Sequence, residues 1–243
     1  MNDQASLAVI IAAIALLYAT AGQAGGTAFL AAMALAGFPA EQMRCTALLL
    51  NIVAAGYATA WLHYHRAIDW ALLARFLVSA MPAAFIGGLV VLDGGLYLAL
   101  MVLLLLAAAG LMVLKRDADG AGDRHVSAGL ALLAGGATGF LAGLTGIGGG
   151  VFLAPLVIAL GWASPRQAAA LSAPYILANS VVGFAGVFAA GQRVAPGITM
   201  YAVAALVGAA MGSAIGSQWM SNRLTRYMLA LVLGGAGLRL LLR

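Results

Sequence analysis

Charge is what this chain lacks most. Of 243 residues, seven are Asp or Glu and twelve are Lys or Arg, so charged residues make up 8%, against about 25% in an ordinary soluble domain. Too few ionised groups exist to cover the surface of a water-soluble fold. Disorder is excluded by the same deficit, because disordered chains combine low hydrophobicity with high charge. The single Cys45 allows neither an internal disulfide nor a cysteine-based metal cluster. The three histidines, His63, His65 and His125, all lie in polar turns. A net charge of +5 is no nucleic-acid footprint, since the Lys and Arg residues stand in turns between apolar runs. No Asp or Glu occupies the middle of a long apolar segment, so no proton-relay carboxylate is evident.

What remains is apolar. Hydrophobic residues make up 64%, and the mean hydropathy is +1.05. A membrane-crossing helix takes roughly 20 apolar residues, so the chain has room for about eight to ten crossings. The expected fold is an all-α polytopic membrane protein held in a lipid bilayer. The start MNDQAS lacks the basic region of a signal peptide, so the first apolar run is expected to stay in place.

Apolar runs lie near 6–22, 27–37, 45–62, 70–92 and 95–114, and again near 127–145, 150–161, 168–190, 197–220 and 224–242. Both series read long, short, long, long, long. The pattern predicts two related halves, 1–114 and 127–243, each with four long helices and one short Gly-preceded segment, joined by a cytoplasmic linker at 115–126. Local sequence agrees: GQAGGTAFLAAMALAGF from Gly22 aligns with GIGGGVFLAPLVIALGW from Gly146. CTALLLN from Cys45 parallels LSAPYILAN from Leu171, with Thr46 opposite Ser172. If the short segments cross, the halves are inverted; if they are re-entrant, the halves are parallel. Either way the side holding Arg66, Arg75, Lys115, Arg116 and Arg124 is the richer in basic residues, and so cytoplasmic.

The run GLTGIGGG, 143–150, cannot be a comfortable helix interior, because each Gly costs about 1 kcal/mol against Ala. It reads as a break before a helix beginning near Val151. Helix starts carry unpaired N–H groups and partial positive charge, and without a Cβ a ligand approaches them closely. Such a break suits a small anion. Gly148, Gly149 and Gly150 form it in the second half, with Gly25 and Gly26 as the counterpart. The nearby polar residues Thr145, Ser172, Tyr175 and Asn179, with Gln23, Thr46 and Asn51 from the first half, are the candidate substrate ligands. Ser172, Tyr175 and Asn179 fall on one helix face, and Pro174 is expected to kink that helix. Close helix packing and simple hinging are the competing explanations of the glycines. Glu41, Asp69 and His63 are the remaining candidates for ion coupling.

The stretches GFLAGLTGIGGGVFLAPLVIALGW and AAALSAPYILANSVVGFAG make the chain resemble the sulfite exporter TauE/SafE family of membrane transporters. The resemblance spans nearly the whole chain and is strongest at 139–186. It implies a secondary transporter, an exporter of sulfite or organosulfonates, with no enzymatic activity and no cofactor. A coupled proton or sodium ion and a homo-oligomer are compatible with it; nucleic acid is not a partner. A scaffold without flux, an ion channel and an intramembrane protease are the alternatives. The protease would need a base opposite Ser172 within the membrane, and the histidines lie elsewhere.

Overall fold

In the computed structural model, residues 2–93 and 126–219 are described, together with 95–97, 99, 100, 102, 103, 106, 235 and 238. The expected runs at 95–114 and 224–242 and the linker at 115–125 lie largely or wholly outside them. The described helices are α1 (Asn2–Thr20), α2 (Gly26–Leu35), α3 (Ala40–Tyr64), α4 (Trp70–Leu89), α5 (Ala128–Thr145), α6 (Gly150–Ala159), α7 (Pro165–Ala189) and α8 (Ile198–Trp219). Five of these, α3, α4, α5, α7 and α8, are long and apolar enough to cross a membrane. The two short ones have ten residues each, about 15 Å of helix, half of a hydrocarbon core of about 30 Å.

Helix starts differ with their position. Asp69 caps α4 by accepting from Leu72 N, Ser127 caps α5 through Leu130 N, and Ser164 with Gln167 forms a capping box on α7, whose first residue is Pro165. By contrast, α2 and α6 begin after left-handed glycines, Gly25 (φ 108°) and Gly149 (φ 84°), and neither has a side-chain cap. Their first-turn N–H groups therefore lack the side-chain acceptor found at α4, α5 and α7; α3, which begins after Pro39, is likewise without one. The helix α7 runs unbroken from Pro165 to Ala189 through Pro174, where the sequence suggested a kink.

Small residues set the packing. A Cβ on Gly135, Gly139 or Gly143 of α5 would lie 2.2, 2.3 or 1.9 Å from the carbonyl oxygens of Phe76, Ala80 and Ala84 of α4. Along α8, Gly208, Gly212 and Gly216 meet the carbonyls of Ala12, Leu16 and Thr20 of α1 in the same manner. These four-residue stripes let backbones touch, as small residues do between membrane helices. The matched order also makes α4 parallel to α5 and α1 parallel to α8. In the centre α3 crosses α7 antiparallel: Gly56 faces Leu177, and Leu48 faces Gly183.

These contacts fix directions. Short turns at 65–69 and 190–197 reverse the chain. One end of the bundle therefore holds the starts of α1, α3 and α8 and the ends of α4, α5 and α7, and is marked by Arg44. The opposite end is marked by Trp162, whose ring packs on Phe76 with centroids 6.0 Å apart, beside Ile68, Val126 and Ala168. At the close of α2, Phe38 packs on Tyr201 at the Arg44 end. Each glycine break thus dips into the bundle, and its short helix carries the chain on to the opposite end. The helices α1 and α5 run in opposite directions.

Candidate functional site

The two breaks meet in the interior. After α1 the chain turns at Gly22, against the Ala169 carbonyl, and doubles back so that Gly25 lies beside Ile14. Tyr18 and Thr27 bridge this fold with a 2.7 Å hydroxyl contact. After α5 the chain turns at Gly146 (φ 81°), against Arg44, and doubles back so that Gly149 lies beside Ala142 and Thr138. The start of α2 then abuts the second break. A Cβ on Gly26 would sit 2.6 Å from the Ile147 carbonyl oxygen and 2.5 Å from Asn51 Nδ2. A Cβ on Gly148 would sit 2.8 Å from Ser180 Oγ and 3.1 Å from Asn51 Nδ2. One on Gly150 would sit 3.2 Å from Gln23 Oε1. Glycine is required at these positions because Asn51 and the Ile147 carbonyl fill the space at Gly26, and Ile176 fills it at Gly148 and Gly150.

Polar groups converge here from both halves. Asn51 of α3 donates through Nδ2 to the carbonyls of Ile147 (3.0 Å) and Gly146 (3.4 Å). Gln23 donates through Nε2 to the Gly150 carbonyl at 3.4 Å. Asn51, Asn179 and Ser180 are fully buried and Gln23 almost so. Yet Gln23 Oε1, Asn51 Oδ1, both amide atoms of Asn179 and Ser180 Oγ have no hydrogen-bond partner among the described residues. The Asn179 amide lies beside the Tyr175 hydroxyl without reaching hydrogen-bond geometry. A buried polar group left unpaired costs about 1–3 kcal/mol, and native interiors seldom tolerate several together. Four further buried atoms without a partner, on Thr59, Trp61, Gln192 and Ser213, are scattered elsewhere, whereas these five make the region of the breaks the candidate site.

Other expected ligands point elsewhere. Ser172 gives its hydroxyl to the Ala168 carbonyl, one turn back, at 2.7 Å. Thr46 accepts from Ala195 N at 2.8 Å and ties α3 to the turn before α8. Tyr175 bonds Thr138 Oγ1 at 2.6 Å and the Gly135 carbonyl at 3.2 Å, and only its ring edge reaches Gly149. Thr145 donates to the Leu141 carbonyl and accepts from Ile147 N, within the second break, at 3.4 Å. Thus Gly25, Gly26, Gly148, Gly149, Gly150 and Asn51 gather at the breaks, and Asn179 stands beside Tyr175 and next in sequence to Ser180, whereas the hydroxyls of Thr46, Thr145 and Ser172 bond the backbone and that of Tyr175 bonds Thr138 and the backbone. Ser180 was not anticipated. Its signal was present in the Asn179–Ser180 pair, at eight residues from Ser172.

The Arg44 end carries a second polar cluster. Arg44 makes five hydrogen bonds, to the carbonyls of Gly87, Gly88 and Val90 at the end of α4 and twice to Gly143 near the end of α5. A cation at two helix C-termini is favourably placed, which explains how Arg44 lies only 4% exposed. Tyr97 donates to the Thr145 carbonyl. A cleft of about 230 Å³, lined by Glu41, Arg44, Asp93, Tyr97 and Gln192, opens above this cluster. Asp69 caps α4, and the His63 ring packs on Trp70. No group of three His, Cys, Asp or Glu side chains suited to a metal ion occurs among the described residues.

Broken helices whose N-termini meet polar side chains in the interior, inside a bundle of membrane-length helices, are an arrangement common in membrane transporters. Residues 7–240 match the Sulfite exporter TauE/SafE family, and the chain belongs to that family of membrane transporters. It is 34% identical over 248 residues to the "Probable membrane transporter protein y4hK" of Sinorhizobium fredii, covering 99% of both chains. No solved structure matches it. The protein is accordingly a multi-pass integral membrane protein of a bacterial transporter family, and it moves a solute instead of transforming one.

Proposed function

We propose that the protein carries small sulfur-containing anions, such as sulfite or an organosulfonate, across the bacterial inner membrane, and that the anion sits between the starts of α2 and α6. The observation that supports this most is the coincidence of two uncapped helix starts with the unpaired atoms of Gln23, Asn51, Asn179 and Ser180. Each helix start contributes roughly half a positive charge. An anion there needs no buried cation, which would cost several kcal/mol to desolvate. The site residues on this reading are Gly25, Gly26, Gly148, Gly149, Gly150, Asn51 and Asn179, joined by Gln23 and Ser180.

The opposed directions of α1 and α5 support a pair of inverted halves, 1–114 and 127–243. Alternating access then follows from rocking one set of helices on the other about this site. The Trp162 end, with Arg66, Arg75 and Arg166, is the cytoplasmic one on the positive-inside rule. The test is counterflow of labelled sulfite into proteoliposomes, with sulfoacetate, sulfate and thiosulfate as competitors. Saturable exchange supports the carrier; the absence of exchange in correctly inserted protein overturns this substrate class and favours a scaffold role.

A further inference from the structure

The unpaired atoms are not all of the kind that a bare oxyanion satisfies. Asn51 Nδ2 faces two carbonyl oxygens and Gln23 Nε2 faces a third. Turning either amide over would set oxygen against oxygen, so the orientation is chemically fixed. The free atoms Asn51 Oδ1 and Gln23 Oε1 are therefore acceptors, and they can be met only by a donor. Each lies beside the first residue of a short helix: a Cβ on Gly26 would be 3.0 Å from Asn51 Oδ1, and one on Gly150 would be 3.2 Å from Gln23 Oε1. A metal cation would also suit an oxygen, but the positive ends of two helices converge there, and among the described residues no Asp or Glu is buried.

We infer that the site selects a monoanion that carries its own O–H donor: hydrogen sulfite in place of the fully ionised dianion, or a hydroxy-substituted sulfonate in place of a plain alkyl one. This rests on the anion-site reading above and names the substrate class more closely. The charge agrees, since two helix ends at roughly +0.5 each balance about one negative charge. The helix N–H groups and Ser180 hold the oxyanion oxygens, while Asn51 Oδ1 or Gln23 Oε1 accepts a hydrogen bond from the ligand's O–H.

The experiment compares two monoanions of nearly equal size, 2-hydroxyethanesulfonate and ethanesulfonate, as inhibitors of labelled-sulfite counterflow in proteoliposomes. The hydroxylated compound is expected to inhibit with at least a ~10-fold lower inhibition constant, because a site built for a donor discriminates strongly against the analogue lacking one. In Gln23→Met or Asn51→Leu protein the two constants should converge. Sulfite exchange with equal inhibition by both compounds, or with none by either, overturns this inference alone and leaves the anion site with waters as the donors. If sulfite itself is not exchanged, the underlying transport reading falls with it.

Discussion

Replacing Gly26 by Ala isolates the meeting of the two breaks. Gly26 is the first residue of α2 and has ordinary helical backbone angles, so the substitution brings no left-handed strain. Helix propensity alone would favour Ala by about 1 kcal/mol. Opposing this, the new Cβ would stand 2.5 Å from Asn51 Nδ2 and 2.6 Å from the Ile147 carbonyl oxygen. Both neighbours must move. Overpacking of this kind costs about 1–3 kcal/mol, and displacing Asn51 removes bonds worth about 1 kcal/mol each. The displaced amide is also a ligand on the proposed reading. A binding loss of ~1.4–2.8 kcal/mol corresponds to a roughly 10- to 100-fold higher half-saturation concentration for sulfite counterflow. Gly129→Ala provides the control, being the same chemical change in α5 at an exposed position with nothing within 4 Å of the added Cβ. It should leave transport unchanged and stabilise the protein slightly. If Gly26→Ala protein, correctly inserted, transports with the half-saturation of its parent, the breaks do not form the site.

Three further substitutions separate site from scaffold. Asn51→Leu keeps the volume but frees the carbonyls of Gly146 and Ile147, and should raise the half-saturation concentration at least ~10-fold; wild-type counterflow would remove Asn51 from the site. Arg44→Lys replaces a five-bond fork by a point charge with three donors. It should lower stability by about 1.5–3 kcal/mol, read as an earlier thermal transition in detergent, and an unchanged transition would refute the clamp. Ser172→Ala should leave half-saturation unaltered, because that hydroxyl bonds the Ala168 carbonyl; a clear loss of affinity would show that Ser172 turns to the ligand during transport.

Much of this fold was legible because the bilayer leaves few choices. Backbone groups in lipid must pair within helices, so apolar run lengths translate directly into elements. The short runs at 27–37 and 150–161 became α2 and α6, and the glycine clusters became the left-handed starts at Gly25 and Gly149. Whether the short segments cross was not legible, because hydropathy carries no direction. It took the matched glycine contacts of α5 with α4 and of α8 with α1 to settle it. The glycines themselves divide by position: Gly135, Gly139 and Gly143 pack helices, while Gly148 and Gly149 shape the break. Polar ligands were harder to read. Ser172 and Asn179 share a helix face, but a Ser hydroxyl can bond its own preceding turn and an Asn amide cannot hide so easily. The difference shows only once partners are counted.

The two ends of the bundle are held by contacts of different kinds, and that difference bears on the proposed transport. At the Trp162 end the turn at Gly22 lies against the carbonyl of Ala169, and Ala21 beside it joins an apolar cluster with Phe76, Trp162 and Leu171. At the Arg44 end the turn at Gly146 lies against a side chain whose five bonds join α3 to the ends of α4 and α5. On the rocking scheme proposed above, opening the Arg44 end means breaking charge-assisted bonds, each worth about 1.5–3 kcal/mol, whereas opening the Trp162 end means exposing the apolar cluster around Phe76 and Trp162. The difference between those two costs sets the balance between the two open states. A ligand can shift that balance only by binding one state more tightly than the other. The site offers one means of doing so: Arg44 holds the Gly143 carbonyl, and Asn51 holds the Gly146 and Ile147 carbonyls, on the same short stretch of chain. An anion that draws the second break toward α2 pulls on that stretch, and the pull is felt at the clamp.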